Sequence, residues 1–289
     1  MVYLLLAILC SAIIPNIFRL GKQKIVNEPV VITTNYILAS FVFLISAIIL
    51  GQIGLLTQFS ELQTIEQNSI LIAILLGIVT GVLYYGGFYF YQRAVYLSGP
   101  SLASAFGKMG ILIPMFLSIL LWKEVPDFIQ WIGVTFALLA IIIIAINPKT
   151  LKFNDIHPAL IIFFLIGGLG DFANKVFQKY CLLEHNTIFL FFVFFTALIV
   201  SIKATKAVSN KKNWDYIIGL MIGVPNLLTS YFLIQALSVI DAVIVFPIFS
   251  GGTIILASII SAIAFKEQLK AKEYIGIILM VMAVALISI

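Results

Sequence analysis

The sequence predicts an all-α integral membrane protein, with ten transmembrane helices arranged as two inverted five-helix repeats around a central cavity. Three observations lead there. Of 289 residues, 62% are hydrophobic and only 10% are charged, against about 25% charged in a soluble domain, so the chain cannot cover itself with a polar surface. Its charge clusters divide it into ten continuous apolar stretches of roughly 17 to 25 residues, the length that crosses about 30 Å of hydrocarbon as a helix. Finally, most of the segment from Gly77 to Gly133 is written a second time from Gly219 to Gly276.

In chain order the predicted spans are 2-18, 30-50, 70-92, 99-121, 128-147, 158-178, 187-203, 215-237, 241-263 and 273-289. Helix is preferred over barrel strand because the runs are continuous rather than alternating, and because a spanning backbone must satisfy its own hydrogen bonds. The opening MVYLLLAILC has no basic segment before its apolar run, so the first span is expected to stay in the protein rather than leave as a signal peptide. The longest loops are 51-69 and the basic 203-214, which leave no room for a soluble domain. The chain therefore divides into a first repeat, 1-147, and a second, 158-289.

The repeat is gapless over its first part. GIVTGVLYYGGFYFYQRA from Gly77 lies over GLMIGVPNLLTSYFLIQA from Gly219, matching Gly77 with Gly219, Gly81 with Gly223, Tyr89 with Tyr231 and Ala94 with Ala236. One inserted residue later, Lys123-Glu124 lies over Lys266-Glu267, and ten residues after each lysine stands a glycine, Gly133 or Gly276. An odd number of spans per copy makes the second copy enter the membrane from the opposite side. Two inverted copies facing each other across a midplane site are one common plan for a transporter.

Orientation follows from the basic residues of alternate loops. One side collects Arg19, Lys22, Lys24, Arg93, Lys149, Lys152, Lys203, Lys206, Lys211, Lys212, Lys266, Lys270 and Lys272, while the other has Lys123 and Lys179. The positive-inside rule places the first set in the cytoplasm and both termini outside.

Only three charged residues, Lys108, Asp171 and Lys175, fall clearly within the spans rather than at their ends, and each costs at least about 2.5 to 3.5 kcal/mol near a helix centre. Lys108 lies about nine residues, roughly 14 Å, into its span, close to the midplane and too deep to snorkel easily. It is read as an ammonium that binds an anionic group or changes protonation during a cycle; the plain alternative is packing against Asp171. Asp171 and Lys175 stand four apart on one helix face with Asn174 beside them. Asp171 is read as the counter-ion of Lys108 or the carrier of a coupling proton, and Lys175, nearer the outer end, as a snorkelling side chain. Tyr85, Tyr89 and Gln92 follow i, i+4, i+7 on the third span, and Asn226, Thr229 and Ser230 follow i, i+3, i+4 on the eighth. Such faces suit a wet cavity, although each residue taken singly also fits a hydrogen bond between helices. Gly77-x-x-x-Gly81 and Gly219-x-x-x-Gly223 read as close helix packing. Asn16 and Tyr36 are weaker cavity candidates.

Other chemistries find little footing. Cys10 and Cys181 form no metal or disulfide spacing, and His157 and His185 fall near loops, so neither a metal nor a cofactor is expected. No basic patch interleaved with exposed aromatics points to nucleic acid. No phosphate loop of a primary pump occurs. Gly168-Leu169-Gly170-Asp171 matches the Gly-x-Gly-Asp string of intramembrane aspartyl proteases, but those need two carboxylates sharing a proton, and every other acid lies in a loop or at a span end. An enzyme is not expected.

The ten spans in two halves, the alanines at Ala94 and Ala236, and the Lys-Glu pairs followed by Gly133 and Gly276 together resemble the EamA-like branch of the drug/metabolite transporter superfamily, over the whole chain. The resemblance implies a basket of ten helices whose cavity is lined mainly by spans one, three, four, six, eight and nine. It also implies secondary transport of small metabolites, often export, from an inner or plasma membrane. By helix and depth the lining falls on Tyr85, Tyr89, Lys108, Asp171, Asn226 and Ser230. Lys108 and Asp171 mark a preference for an anionic or zwitterionic, amino-acid-like solute. The implied partners are that solute, a coupling proton and the surrounding lipids, in a monomer or a homodimer. The rival within the same fold is a flippase for lipid-linked intermediates.

Overall fold

The structure is a computed structural model and describes residues 1–52, 65–98, 100–145, 157–266 and 271–287. Lys149, Lys152, Asp155, Glu267, Lys270 and most of the predicted 51-69 loop lie outside the described residues. Each predicted span corresponds to helix. In order these are α1 (Val2–Gln23), α2 (Glu28–Ile49), α3 (Ile65–Ser98), α4 (Pro100–Met109), α5 (Leu112–Trp122), α6 (Phe128–Ala145), α7 (Pro158–Tyr180), α8 (Asn186–Lys206), α9 (Asn213–Leu237), α10 (Ala242–Phe265) and α11 (Ala271–Ile287). Seven helices are long and apolar enough to cross a membrane, and α6 is a shorter apolar helix. The protein is a multi-pass, all-helical membrane protein; no strand occurs among the described residues.

The main departure from expectation is the predicted span 99-121, which is broken between α4 and α5. The cause is Pro114, which has no N–H to offer the carbonyl four residues earlier. Gly110 O instead accepts from Ile113 N at 3.0 Å, and Gly110 N donates back to Gly107 O at 3.3 Å. These tighter bonds bend the chain two residues after Lys108. Both α5 and α10 end in a left-handed residue, Lys123 (φ 56°) and Lys266 (φ 54°), the two lysines that the repeat superimposes.

The glycines set the packing. A Cβ on Gly77 would meet Phe189 O and Phe192 Cβ at 2.8 Å, and one on Gly81 would run into Val193 O and Thr196. In the second copy a Cβ on Gly219 would meet Val31 O and Thr34 Cβ at 2.6 Å, and one on Gly223 would meet Leu38 and Asn35 O. The partners form the same i, i+3, i+4, i+7 set on α8 and on α2. Their numbers rise together with those of the glycines, so α3 runs parallel to α8, and α9 parallel to α2. Gly133, at the start of α6, faces Ala283 and Ile287 at the end of α11, while Gly276, at the start of α11, faces Ala140 and Ile144 at the end of α6. That pair is antiparallel and reciprocal. Likewise α1 packs on α9 and α10 as α7 packs on α3 and on α4 and α5.

The helix ends gather on two faces. On one, Asn27 N and Nδ2 donate to the two carboxylate oxygens of Asp215 at 2.9 Å, Gln92 donates to Glu28 at 2.7 Å, Arg19 donates to Ser261 Oγ at 2.8 Å, and Lys272 donates to Ile144 O at 2.5 Å. On the other, Gln52 donates to Glu184 O at 2.6 Å, Ser69 Oγ bonds His185 Nδ1 at 2.8 Å, and Trp122 Nε1 donates to Tyr180 OH at 3.3 Å. The described members of the basic set lie towards the first face. Lys123 and Lys179 lie towards the second.

The glycine contacts predict a contrast. Gly81→Ala pushes a methyl group into backbone and costs about 1–3 kcal/mol, read as a fall of several degrees in the thermal midpoint in detergent. Gly167→Ala, at a position with nothing within 4 Å of the new Cβ, leaves the midpoint unchanged.

Candidate functional site

Between the two sets of helices lies a branched space of three adjoining cavities, all lined in part by Phe18 of α1. The first, about 570 Å³, is bounded by Ser11, Pro15, Asn16 and Arg19 of α1, Tyr91 of α3, Gly107 and Lys108 of α4, Phe163 of α7, and Thr253, Ser258 and Ser261 of α10. The second, about 310 Å³, is bounded by Asn35 and Tyr36 of α2, Tyr84, Gly87 and Phe88 of α3, Gly167, Gly170 and Asp171 of α7, and Asn226 of α9. The third, about 480 Å³, leads from Phe18, Arg19 and Tyr91 to Lys22, Glu28 and Gln92 at the basic face. Spans one, three, four, six, eight and nine all contribute, joined by the second span through α2.

Backbone irregularity builds the polarity of this space. Pro15 within α1 leaves the carbonyl of Ser11 without its helical donor. Asn16 Nδ2 then spans α1 and α10, donating to Ala12 O at 3.0 Å and Ala257 O at 3.2 Å. Asn226 Nδ2 donates to Asn35 Oδ1 at 3.1 Å, and Asn174, fully buried, donates to Tyr84 OH at 3.2 Å. Hydroxyl and amide groups therefore ring a space whose walls are otherwise aromatic and aliphatic.

Lys108 lines the first cavity and Asp171 the second. No ion pair within 4 Å joins them among the described residues, so the contact pair considered from sequence does not form. Lys175 departs further from its expected snorkelling. It is 2% exposed, and its Nζ lies 2.7 Å from Glu124 Oε1 in a buried ion pair. The reason is that Glu124, two residues beyond the end of α5, comes back against α7 at that depth.

Asn226 lines the second cavity. Ser230, on the same helix one turn after Asn226, is buried and is not among the residues lining the second cavity. Tyr85 packs partly buried against the cluster of Tyr36, Phe177 and Phe194, and Tyr89 is 47% exposed with its ring edge-on to Phe90. Neither lines the three cavities described. The face of α3 that does so runs through Tyr84, Phe88, Tyr91 and Val95, one residue, or about 100°, from Tyr85 and Tyr89 of the stripe read from polarity, whose third member, Gln92, does line the third cavity. A tyrosine is amphipathic and sits as readily beside a cavity as in it, so hydroxyls alone do not fix the phase. Arg19, which sequence reasoning assigned to a loop, lines two cavities. It could have been found by laying α1 on α7, which pairs Leu4 with Leu160, Leu9 with Leu165 and Arg19 with Lys175.

Apolar helices packed backbone to backbone around a cavity lined by Lys108 and Arg19 define a polytopic membrane protein with an internal cavity. The EamA-like transporter family model matches residues 1–146 and 158–289, and the chain belongs to that family, within the drug/metabolite transporter superfamily. It is a membrane transporter. A solved crystal structure superimposes with a TM-score of 0.75 over 99% of this chain and 94% of its own at 14% identity, a likeness of fold. No curated protein matches in sequence.

The bond between α2 and α9 is testable by a double-mutant cycle. Asn35→Ala and Asn226→Ala together cost less than the sum of the two single changes by about 0.6 kcal/mol, the usual coupling of a polar pair within a membrane protein, measured from unfolding in mixed micelles.

Proposed function

We propose that this protein is a secondary active exporter of a small polar metabolite, amino-acid-like or otherwise anionic or zwitterionic, working by alternating access. The observation that carries the reading is Lys108, a deep ammonium facing a cavity of about 570 Å³ with no ion-pair partner within 4 Å among the described residues. An ammonium in hydrocarbon needs water or a counter-charge. A cavity of this size supplies water when empty and admits the anionic group of a solute when filled. Tyr91, Phe163 and Ile254 on the walls provide apolar contact for the remainder of the solute. Asp171, one cavity further in, is placed to receive an ammonium group or a coupling proton.

Alternating access rests on inverted symmetry, and the reciprocal contacts support it. The parallel pairs α3 with α8 and α9 with α2, and the antiparallel pair α6 with α11, agree with ten alternating crossings if α4 and α5 together make one. Five crossings per half then invert the second copy. In such a frame each half can adopt the other's conformation, so one site opens to either face in turn. The positive-inside rule assigns the Arg19, Lys22 and Lys212 face to the cytoplasm and both termini to the outside of an inner or plasma membrane. The third cavity reaches that face, the side from which an exported solute loads.

Proteoliposome counterflow with a panel of amino acids and small carboxylates tests the reading. Lys108→Met is expected to stay monodisperse and lose transport about tenfold or more, since a hydrogen bond to a charged group is worth about 1.5–3 kcal/mol. Full transport by the folded variant removes this lysine from the mechanism. Asp171→Asn separates the two roles of the acid: a proton carrier loses pH-gradient-driven transport and keeps counterflow, whereas a solute-binding acid loses both. Lipid scrambling without solute movement would instead identify a flippase. A C-terminal tag that reacts with impermeant reagent only after the membrane is opened would reverse the orientation.

A further inference from the structure

On the face opposite the cavity's mouth, one carboxylate clasps both halves of the protein. Glu124 Oε1 holds Lys175 of α7 at 2.7 Å, and its Oε2 accepts the backbone N–H of Ala242, the first residue of α10, at 3.0 Å. The ring of Trp122 lies 5.9 Å from Lys175 Nζ and stacks on Phe172 at 5.6 Å. The side chains of Lys175 and Glu124 are 3% and 10% exposed. Lys175 is one helical turn, about 6 Å, beyond Asp171, so the clasp stands one turn from the acid that lines the second cavity, on the side away from the basic face.

The energetics suit a latch. A buried ion pair gains little net free energy, because its Coulomb attraction mainly offsets the desolvation of the two ions. Separated and wet, both ions recover their hydration. The closed and open forms are therefore nearer in free energy than they would be for an apolar contact of equal area. Removing one partner is different, because it leaves an unpaired charge that only water can satisfy.

The same arrangement recurs at the other face. Laying α1 on α7 puts Arg19 at the position of Lys175, and the end of α10 puts Phe265 at the position of Trp122, each followed by a left-handed lysine. The Arg19 guanidinium lies 4.2 Å over the Phe265 ring and donates to Ser261 Oγ at 2.8 Å. Each half thus carries a cation on its first crossing, set against an aromatic ring at the end of the other half's fourth crossing.

We propose that Lys175, Glu124 and the N-terminus of α10 form the gate that shuts the cavity away from the face opposite its basic mouth, and that Arg19 on Phe265 is the corresponding element at the mouth. The proposal deepens the alternating-access reading and rests on it. Opening separates Lys175 from Glu124 and frees the start of α10.

Gly167 supplies the reporter, since it lines the second cavity and a Cβ there meets nothing within 4 Å. With Cys10 and Cys181 replaced by alanine, Gly167→Cys is exposed to a membrane-impermeant cationic thiosulfonate from either side of oriented vesicles. Slow labelling from the face of Lys123 and Lys179 is expected. Glu124→Gln, which keeps an oxygen for Ala242 N–H and loses the charge, and Lys175→Gln should each raise that rate at least about tenfold. Lys175→Arg should keep it low, and the exchange Glu124→Lys with Lys175→Glu should bring it back towards the native rate. Unchanged rates in both glutamine variants, each shown to be monodisperse, overturn the gate. So does an exchanged pair as fast as the single variants, which would mark a packing role alone. Loss of counterflow with this labelling pattern intact counts against the transport reading, and counterflow with labelling indifferent to Glu124 counts against the gate.

Discussion

A charge in the middle of a bilayer must find either water or a partner, and this protein contains a lysine settled in each way. Lys108 faces a cavity; Lys175 is sealed against Glu124. The cost of leaving either ammonium bare in hydrocarbon is several kcal/mol on any scale, so the two solutions dictate what surrounds them. Around Lys108 the helices have to stand apart and present hydroxyls and amides. Around Lys175 they have to close tightly, with the carboxylate's second oxygen also satisfied.

Standing apart in one place requires close contact in another. The glycine contacts of α3 with α8 and of α9 with α2 bring backbones together where no side chain intervenes, and dispersion over such surfaces drives helix association in lipid. This outer frame carries the protein's cohesion. The inner helices α1, α4, α7 and α10 are then free to be irregular. Pro15 interrupts α1, Pro247 lies within α10, and Pro114 breaks the fourth crossing just after Lys108. Of the carbonyls so released, that of Gly110 turns to Ile113 N and that of Ser11 belongs to a residue lining the first cavity, which can wet it where hydrocarbon cannot.

Much of this was legible in the sequence because lipid imposes simple rules. Span length and apolar continuity placed the helices to within a few residues, and the repeated glycines marked the frame. The break at Gly110 was less legible, because Pro114 lies inside an apolar run that is long enough to be one helix. The phase of α3 was misplaced by one residue, since Tyr84, Tyr85 and Tyr89 have the same chemistry and only packing distinguishes them. Glu124 was passed over as a loop residue. Its role depends on the left-handed turn at Lys123 and on α10 beginning beside it, neither of which one strand of sequence displays. Arg19 and Lys175 were recoverable, but only by aligning the first and sixth spans, where identity is far weaker than between the third and eighth.

The positions at which the two halves disagree are as informative as those at which they match. Gly77 and Gly219, Gly133 and Gly276, and Lys123 and Lys266 coincide, and all belong to packing or helix ends. Asp171 lies over Pro15, Tyr84 over Asn226, and Lys108 over Ser250 or Gly251, and all of these but Ser250 and Gly251 line the cavity. A frame that exchanges conformations between its halves needs symmetry in its hinges and contacts. A solute near the pseudo-symmetry axis needs the reverse, because a pocket with equivalent walls would offer two equal and opposite poses. One ammonium and one carboxylate, each without a counterpart in the other half, remove that degeneracy. On the transport reading proposed above, the guest would then keep a single orientation, and its charge the same partner, whichever face the cavity reaches.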